Sequence, residues 1–381
     1  MKKIITIKNL EELNQVFKRL NSIRRWTSLI TEGKYNELSK QGLNCAICYV
    51  LAKQAEASGW DINWDRFPQI AIHRAFQKAY VNYDTPEHIL SGICEMGNLQ
   101  FEKCFKEVTN QIIEENTNEE FVTFLKEGIG TVEERIYQAA TKIATFLELK
   151  EIKKSINGAY DSKYMEVLKS MYTYEDIPDF KMLSSEEGSY FKLFREISKL
   201  RNQNRWAAYS YLVDCPVLGH LFDTAVFAYF MAIEKGETES VATKCFFMGI
   251  FHDIPEAFTR DIPSPIKDKI PGFRDLTEKY ELLMMEKEVY PVVSESMKVA
   301  LKEIMFEDEA NIKFKALMKG ADYMSAVTEI WRQLKAGSRD DAFVRAIKGH
   351  ESKFESGIAE ITPTARILYE EILKYAEKLN L

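Results

Sequence analysis

The chain has 381 residues, 46% hydrophobic and 29% charged, with 17 glycines and 10 prolines, which excludes a disordered, collagen-like or low-complexity protein. Its 58 acidic and 51 basic side chains give a net charge of −7, which argues against an extended basic face and against nucleic acid as a partner. A free nucleotide stays admissible, because a small anion needs only a few local cations.

In chain order, the N-terminal run MKKIITIKNLEELNQVF has two lysines but no apolar h-region and no small-residue cleavage site, so no signal peptide is expected. No apolar run of about 18 residues stands out, and no membrane partner is expected. Apolar residues recur at three- and four-residue spacings over 43–57, 101–115, 132–149, 218–233, 241–251 and 313–334, which predicts helices there. Alternating strand patterns are nearly absent, and the predicted class is all-α. Cys45 and Cys48 have CxxC spacing but lie in the first of these helices, with no second pair at zinc-finger distance. They read as buried helix cysteines. The six cysteines suit a reduced, cytoplasmic protein. The segment PDFKMLSSEEG, 178–188, interrupts the helical pattern with Pro178, Gly188 and a capping box, Ser184 followed by Glu187. A boundary there divides the chain into lobes 1–180 and 181–381.

The lobes echo one another. Arg25-Trp26 in LNSIRRWT matches Arg205-Trp206 in LRNQNRWA. IHRAFQKAYVNYDTPEH matches FHDIPEAFTRDIPSPIK, setting His73 on His252 and Pro86 on Pro265, and YQAATKIATF matches MKGADYMSAV, setting Thr141 on Asp322. The three offsets, 180, 179 and 181, run in order and point to an internal duplication.

The chemistry concentrates in the second lobe. Of five histidines, His220 opens an apolar helix and His252-Asp253 closes the next. Asp322 sits inside a third, where a buried carboxylate needs a cation or hydrogen bonds to offset its desolvation. Two imidazoles and two carboxylates form a mixed N/O donor set suited to Mn, Co, Fe or Zn, with positions left for water. Each residue alone has a plainer reading as a core histidine or a solvated acid, and only their order and the motif that follows favour function. After His252 the run HDIPEAFTRDIPSPIK is rich in acids and prolines; the prolines end the helix and force a tight loop, which can present Glu256 and Asp261 toward one point.

HDIPEAFTRDIPSPIK resembles the signature of the HD-domain metal-dependent phosphohydrolases, and within them the bacterial 5′-deoxynucleotidase branch, with a pattern close to HDxxExxTxDxPTPxK. It fits at His252, Asp253, Glu256, Thr259, Asp261, Pro263, Pro265 and Lys267, with Ser264 where Thr is usual. The upstream Arg-Trp is matched by Arg205-Trp206, whereas the branch's Ser-Glu-His is replaced by Leu218-Gly219-His220. The resemblance covers about residues 195–345.

It implies an HD-domain helical bundle with one divalent metal held by His220, His252, Asp253 and Asp322. Phosphate would be released from a (deoxy)nucleoside 5′-monophosphate by water that the metal activates. Glu256 is expected to position or deprotonate that water, and Asp261 to assist or to protonate the leaving oxygen; the two jobs are not separable from sequence. Arg205 suits a phosphate contact, Trp206 a sugar or base, and Ser264 and Lys267 further substrate contacts. A triphosphohydrolase and a non-catalytic nucleotide-binding regulator are the alternatives. No histidine lies between His252 and His350, so one metal is favoured over two, and His350, in the polar IKGHESKF, is expected at the surface.

Carried back through the repeat, the ligand positions fall on or beside Leu43, on His73, on Arg74 and on Thr141, while Glu256 becomes Gln77 and Asp261 becomes Asn82. An arginine repels a divalent ion. The first lobe is therefore expected to be a metal-less copy, with His73 structural and Arg74 filling the vacated space. The two lobes would form an intramolecular pseudo-dimer, with a homo-oligomer also open.

Overall fold

The computed structural model describes residues 2–31, 33–81, 85, 87–155, 161–260, 262, 264–305 and 312–379. Among the described residues the only β-type pairings are two isolated bridges; the rest is helix and turn, as the periodicity predicts. The helices run α1 (Ile7–Ser22), α2 (Glu37–Ala57), α3 (Arg66–Tyr80), α4 (Glu87–Met96), α5 (Phe101–Asn116), α6 (Glu119–Lys126), α7 (Val132–Ser155), α8 (Asp161–Tyr172), α9 (Phe180–Ser184) and α10 (Ser189–Ser198). They continue with α11 (Val217–Lys235), α12 (Glu239–Phe251), α13 (Glu256–Thr259), α14 (Ser264–Lys269), α15 (Phe273–Met284), α16 (Glu295–Met305), α17 (Lys315–Lys335), α18 (Asp341–Glu355) and α19 (Pro363–Lys378).

α11 is the axis of the molecule. It is long and apolar enough to cross a membrane, which corrects the expectation that no such run exists, but 94% of that stretch is buried inside the protein. α2, α12 and α17 pack along it, so its hydrophobic circumference marks a core helix. One apolar core runs through both halves of the chain. Phe17 of α1 meets Phe222 edge-on at 6.0 Å, and Tyr49 of α2 lies 5.0 Å from Phe247 of α12. The Arg332–Asp223 ion pair, nearly inaccessible to water, ties α17 to α11.

Where α2 crosses α11 the backbones come very close. A Cβ on Gly42 would stand 2.1 Å from the Leu218 carbonyl oxygen, and one on Gly219 would stand 3.2 Å from the Leu38 side chain. This crossing accounts for Leu218-Gly219 in place of the polar pair expected before the first histidine, because the position faces a packed helix.

The capping box at Ser184 and Glu187 does not form. Ser184 is the last residue of α9, with its hydroxyl donating to the Phe180 carbonyl at 2.7 Å, and α10 starts after Gly188 instead. A serine at a helix end finds an open carbonyl one turn back as readily as an amide ahead.

Candidate active site

Four segments deliver the predicted ligands. His220 stands in the first turn of α11 and Asp322 in the middle of α17. α12 ends at Phe251, with His252 as its C-cap and Asp253 in the turn beyond; Pro255 disfavours helical geometry just before it.

Each histidine is oriented by its Nδ1. His252 Nδ1 lies 2.8 Å from the Gly249 carbonyl oxygen, which can only accept, so Nδ1 donates there and Nε2 is turned into the site. Nε2 is buried with no hydrogen-bond partner, although Asp253 Oδ2 lies 3.1 Å away. Such a pair of donor atoms is held together by a shared proton or by a cation. His220 Nδ1 faces Ser325 Oγ at 2.8 Å and Glu329 Oε1 at 3.3 Å, leaving Nε2 directed at Asp322 Oδ1, 3.2 Å, and Asp253 Oδ2, 3.9 Å. Ligand atoms of His220, His252 and Asp253 all lie within 4.8 Å of one another. A buried orphan nitrogen, a second imidazole with a carboxylate behind it, and two carboxylates make a donor set that fits a divalent transition metal.

The electrostatics agree. Burial opposes the charged form of both Asp253 and Asp322. His252 outweighs it at Asp253, Lys319 and His220 outweigh it at Asp322, and both carboxyls are held well below their usual range. For His220, burial and Arg205 push the imidazole down, but Glu329 and Asp322 prevail and raise it to about 9. Both carboxyls are therefore held in the ionised form that a cation's ligands require.

Arg205 reaches Glu329 through Nε at 3.1 Å, while its Nη atoms lie 3.9 Å from Asp253 and 4.0 Å from Asp322. Trp206 adopts a left-handed φ of 64°, uncommon for a bulky residue, and donates Nε1–H to Glu329 Oε2 at 2.8 Å while packing on Tyr209 and Phe343. Glu256 opens α13, buried, with its backbone carbonyl accepting from Gln203 Nε2. Lys267 lies on the half-buried side of α14. Asp261 and the side chain of Ser264 lie outside the described residues.

Several residues of the site were not singled out from the sequence. Glu329 serves His220, Arg205 and Trp206 together, and burial, which would raise its carboxyl, is outweighed by Arg205 and His220, leaving it at about 2. Lys319 donates to Asp322 Oδ2 at 2.8 Å. Glu281 of α15, raised mainly by burial, also feels the charges of Lys267, Asp253 and Lys319. His350 is not at the surface as expected. α18 packs on α17 and turns the ring inward, stacked on Tyr323 at 4.5 Å, with a buried Nε2 that has no partner. Burial pushes its imidazole down to about 4, and the Asp322 and Arg205 charges reach it. The spacing of Asp322, Ser325 and Glu329 by three and four residues was the available signal for Glu329, since it sets all three on one helix face.

The first half contains a similar set of contacts around Arg25 and Trp26. Arg24 bridges to Asn36 as Asn204 does to Pro216, and α2 and α11 each start at the next residue. Arg25 Nε and Trp26 Nε1 reach Glu148 Oε2 at 3.1 and 2.8 Å, the distances at which Arg205 and Trp206 reach Glu329, and Trp26 has φ 61°. With α2 and α11 in this register, the counterpart of His220 is Lys40, not Leu43. His73 is fully buried with Nε2 on Asn110 Oδ1 at 3.1 Å, and burial pushes it down to about 4. Arg74 donates to Gln77 and Glu134. Asn82, Pro86 and the His88 side chain lie outside the described residues.

Comparison with known proteins matches residues 192–375 to the family described as 5′-deoxynucleotidase YfbR-like. A 5′-deoxynucleotidase of Shewanella oneidensis is 26% identical over 167 residues, 43% of this chain and 84% of that protein. One of Yersinia pestis strain Pestoides F and one of Yersinia pseudotuberculosis are each 27% identical over 159 residues, 40% of this chain and 78% of theirs. No solved structure matches significantly. The resemblance read from the HD motif is borne out over this segment.

Proposed function

From the premise that residues 192–375 carry a YfbR-like HD domain, and that the chain is accordingly a hydrolase of that class, we propose that it releases phosphate from (deoxy)nucleoside 5′-monophosphates with one divalent transition metal. The observation that carries this reading is the orphan Nε2 of His252, aimed with His220 Nε2 and Asp253 at one place. His220, His252, Asp253 and Asp322 would hold the ion. When bound, a divalent cation supplies Lewis acidity that activates water and draws charge from the phosphoryl group.

The side chains do the rest. Arg205, held through Nε by Glu329, turns its guanidinium toward phosphate oxygens and neutralises charge as the P–O bond to the sugar breaks. Glu256 accepts the proton of the attacking water, and the departing sugar oxygen takes a proton from that carboxylic acid or from Asp261. Lys319 and Lys267 add positive charge at the pocket edge, and Ser264 adds a hydroxyl. Trp206 and Tyr209 form an aromatic wall against which a nucleoside can pack. His350 Nε2 offers one more hydrogen-bonding atom. The six free cysteines suit a reducing compartment, and the cytoplasm is the location we propose. Residues 1–180 are read as a degenerate copy that completes an intramolecular pseudo-dimer, supported by the paired Glu148 and Glu329 frames.

The test is inorganic phosphate release from a panel of nucleoside mono- and triphosphates with Mn²⁺, Co²⁺, Zn²⁺ or Fe²⁺. Monophosphates are expected to turn over, with loss in Asp253→Ala and Glu256→Ala. Turnover retained after chelation and dialysis would overturn the mechanism.

A further inference from the structure

The first half contains a cavity of about 1320 Å³ between the Arg25-Trp26 loop and α2, α5, α7 and α8. It occupies the position that the metal centre occupies in the second half, because its wall includes Arg25, Trp26, Lys40 and Thr141, the counterparts of Arg205, Trp206, His220 and Asp322. The volume is above the ~300–1,000 Å³ of typical ligand pockets and admits a nucleotide with room to spare.

Its charge is the reverse of a metal site. Among the described residues lining it, eight carry a positive charge and four a negative one. A cation, Lys40, stands where the imidazole ligand stood, and a neutral hydroxyl, Thr141, where a carboxylate ligand stood. Lys40 is 5% exposed and lies within reach of the charges of Glu37 and Glu148. The carboxylates nearest to it are already engaged: Glu37 holds Arg25 at 2.8 Å and Glu148 holds Arg25 at 2.9 Å. A buried ammonium that must share its counterions with an arginine is costly. Fold stability gives no reason to keep it here, whereas an anion entering the cavity would give it one. Lys142 and Lys78 line the same wall, and Trp26 and Phe101 supply apolar surface beside them.

We propose that this cavity is a second, metal-independent ligand site, which binds a nucleoside phosphate with its phosphate on Lys40 and Lys142 and its base or sugar against Trp26 and Phe101. It holds the ligand without cleaving it, because Lys40, Arg74 and Thr141 stand where His220, Asp253 and Asp322 stand in the second half.

The test is equilibrium dialysis of the full-length Asp253→Ala protein, whose hydrolytic site is disabled, against radiolabelled dAMP, dATP and inorganic phosphate, with chelator present. One nucleotide per chain is expected to bind. Affinity should fall about tenfold or more in the Lys40→Met, Asp253→Ala and Lys142→Glu, Asp253→Ala proteins, with helicity by circular dichroism unchanged. Lys142 is half-exposed on α7, so its replacement does not threaten folding. Absence of nucleotide binding would overturn the proposal, as would binding that both lysine variants leave within about twofold. Inorganic phosphate binding as tightly as dAMP and dATP would overturn the nucleoside part and leave a simple anion site. The readout does not depend on turnover, so it stands apart from the phosphohydrolase reading.

Discussion

Trp206 and Glu329 share a 2.8 Å hydrogen bond from the indole Nε1 to Oε2, while the other oxygen of Glu329 faces His220 Nδ1 at 3.3 Å. One buried carboxylate thereby holds both the Trp206 indole and an imidazole of the proposed metal site. Glu329→Gln keeps the shape but removes the charge behind His220. Metal content after dialysis should reveal a loss of about 10- to 100-fold in affinity, with phosphate release falling in parallel and restored by excess metal. Unchanged metal retention would show that Glu329 only braces Trp206.

Gly249 places the site's second histidine. Its Cβ, if present, would stand 2.5 Å from Ala225 Cα, so Gly249→Ala must push α12 away from α11 and carry His252 with it. Overpacking of this kind costs about 1–3 kcal/mol. Urea unfolding should register that loss, and phosphate release should fall even at temperatures where the protein stays folded.

Lys40 makes stability depend on pH. Burial, aided by Arg25 and Lys78 and opposed by Glu37 and Glu148, lowers its ammonium from 10.5 to about 7. The unfolded chain holds that proton up to about pH 10.5 and the folded chain only to about 7, so the unfolded state binds more protons between them. Stability from this group therefore rises with pH across the window. Without nucleotide, Lys40→Met should be more stable than the parent at pH 6–7, and the gap should shrink toward pH 10. A gap of constant size in urea titrations would contradict this.

His350→Phe preserves the stack on Tyr323 and deletes the unpartnered nitrogen. If Nε2 meets substrate, KM for the nucleotide should rise about 2- to 10-fold, the worth of one hydrogen bond, with kcat little changed. An equal fall in kcat at constant KM would assign the residue to packing.

The H…HD…D order was legible because metal ligands are scarce residue types and because His252-Asp253 marks a helix end. Helical periodicity located α2, α5, α7, α11, α12 and α17, but it says which face of a helix is buried, not which helix covers it. Hence His350 read as a surface residue in a polar stretch, since nothing local announces that α18 lies on α17. Lys40 was missed for a related reason. Matching apolar patterns aligned His220 with Leu43, whereas the two bridges, which sequence does not display, fix the register of α2 against α11. Glu329 was the most readable of the omissions, as a carboxylate in line with Asp322 on a helix with no exposed face to put it on.

The close approach of Gly42 to Leu218 bears on how the chain can be taken apart. A protein cut after residue 180 would peel α2 from α11 and hand a strongly greasy helix to water. The second half expressed alone would then expose that helix, which it would have to bury by aggregating or by recruiting a substitute cover. On this view the leading half acts as a built-in sheath, obligatory for solubility whatever it binds.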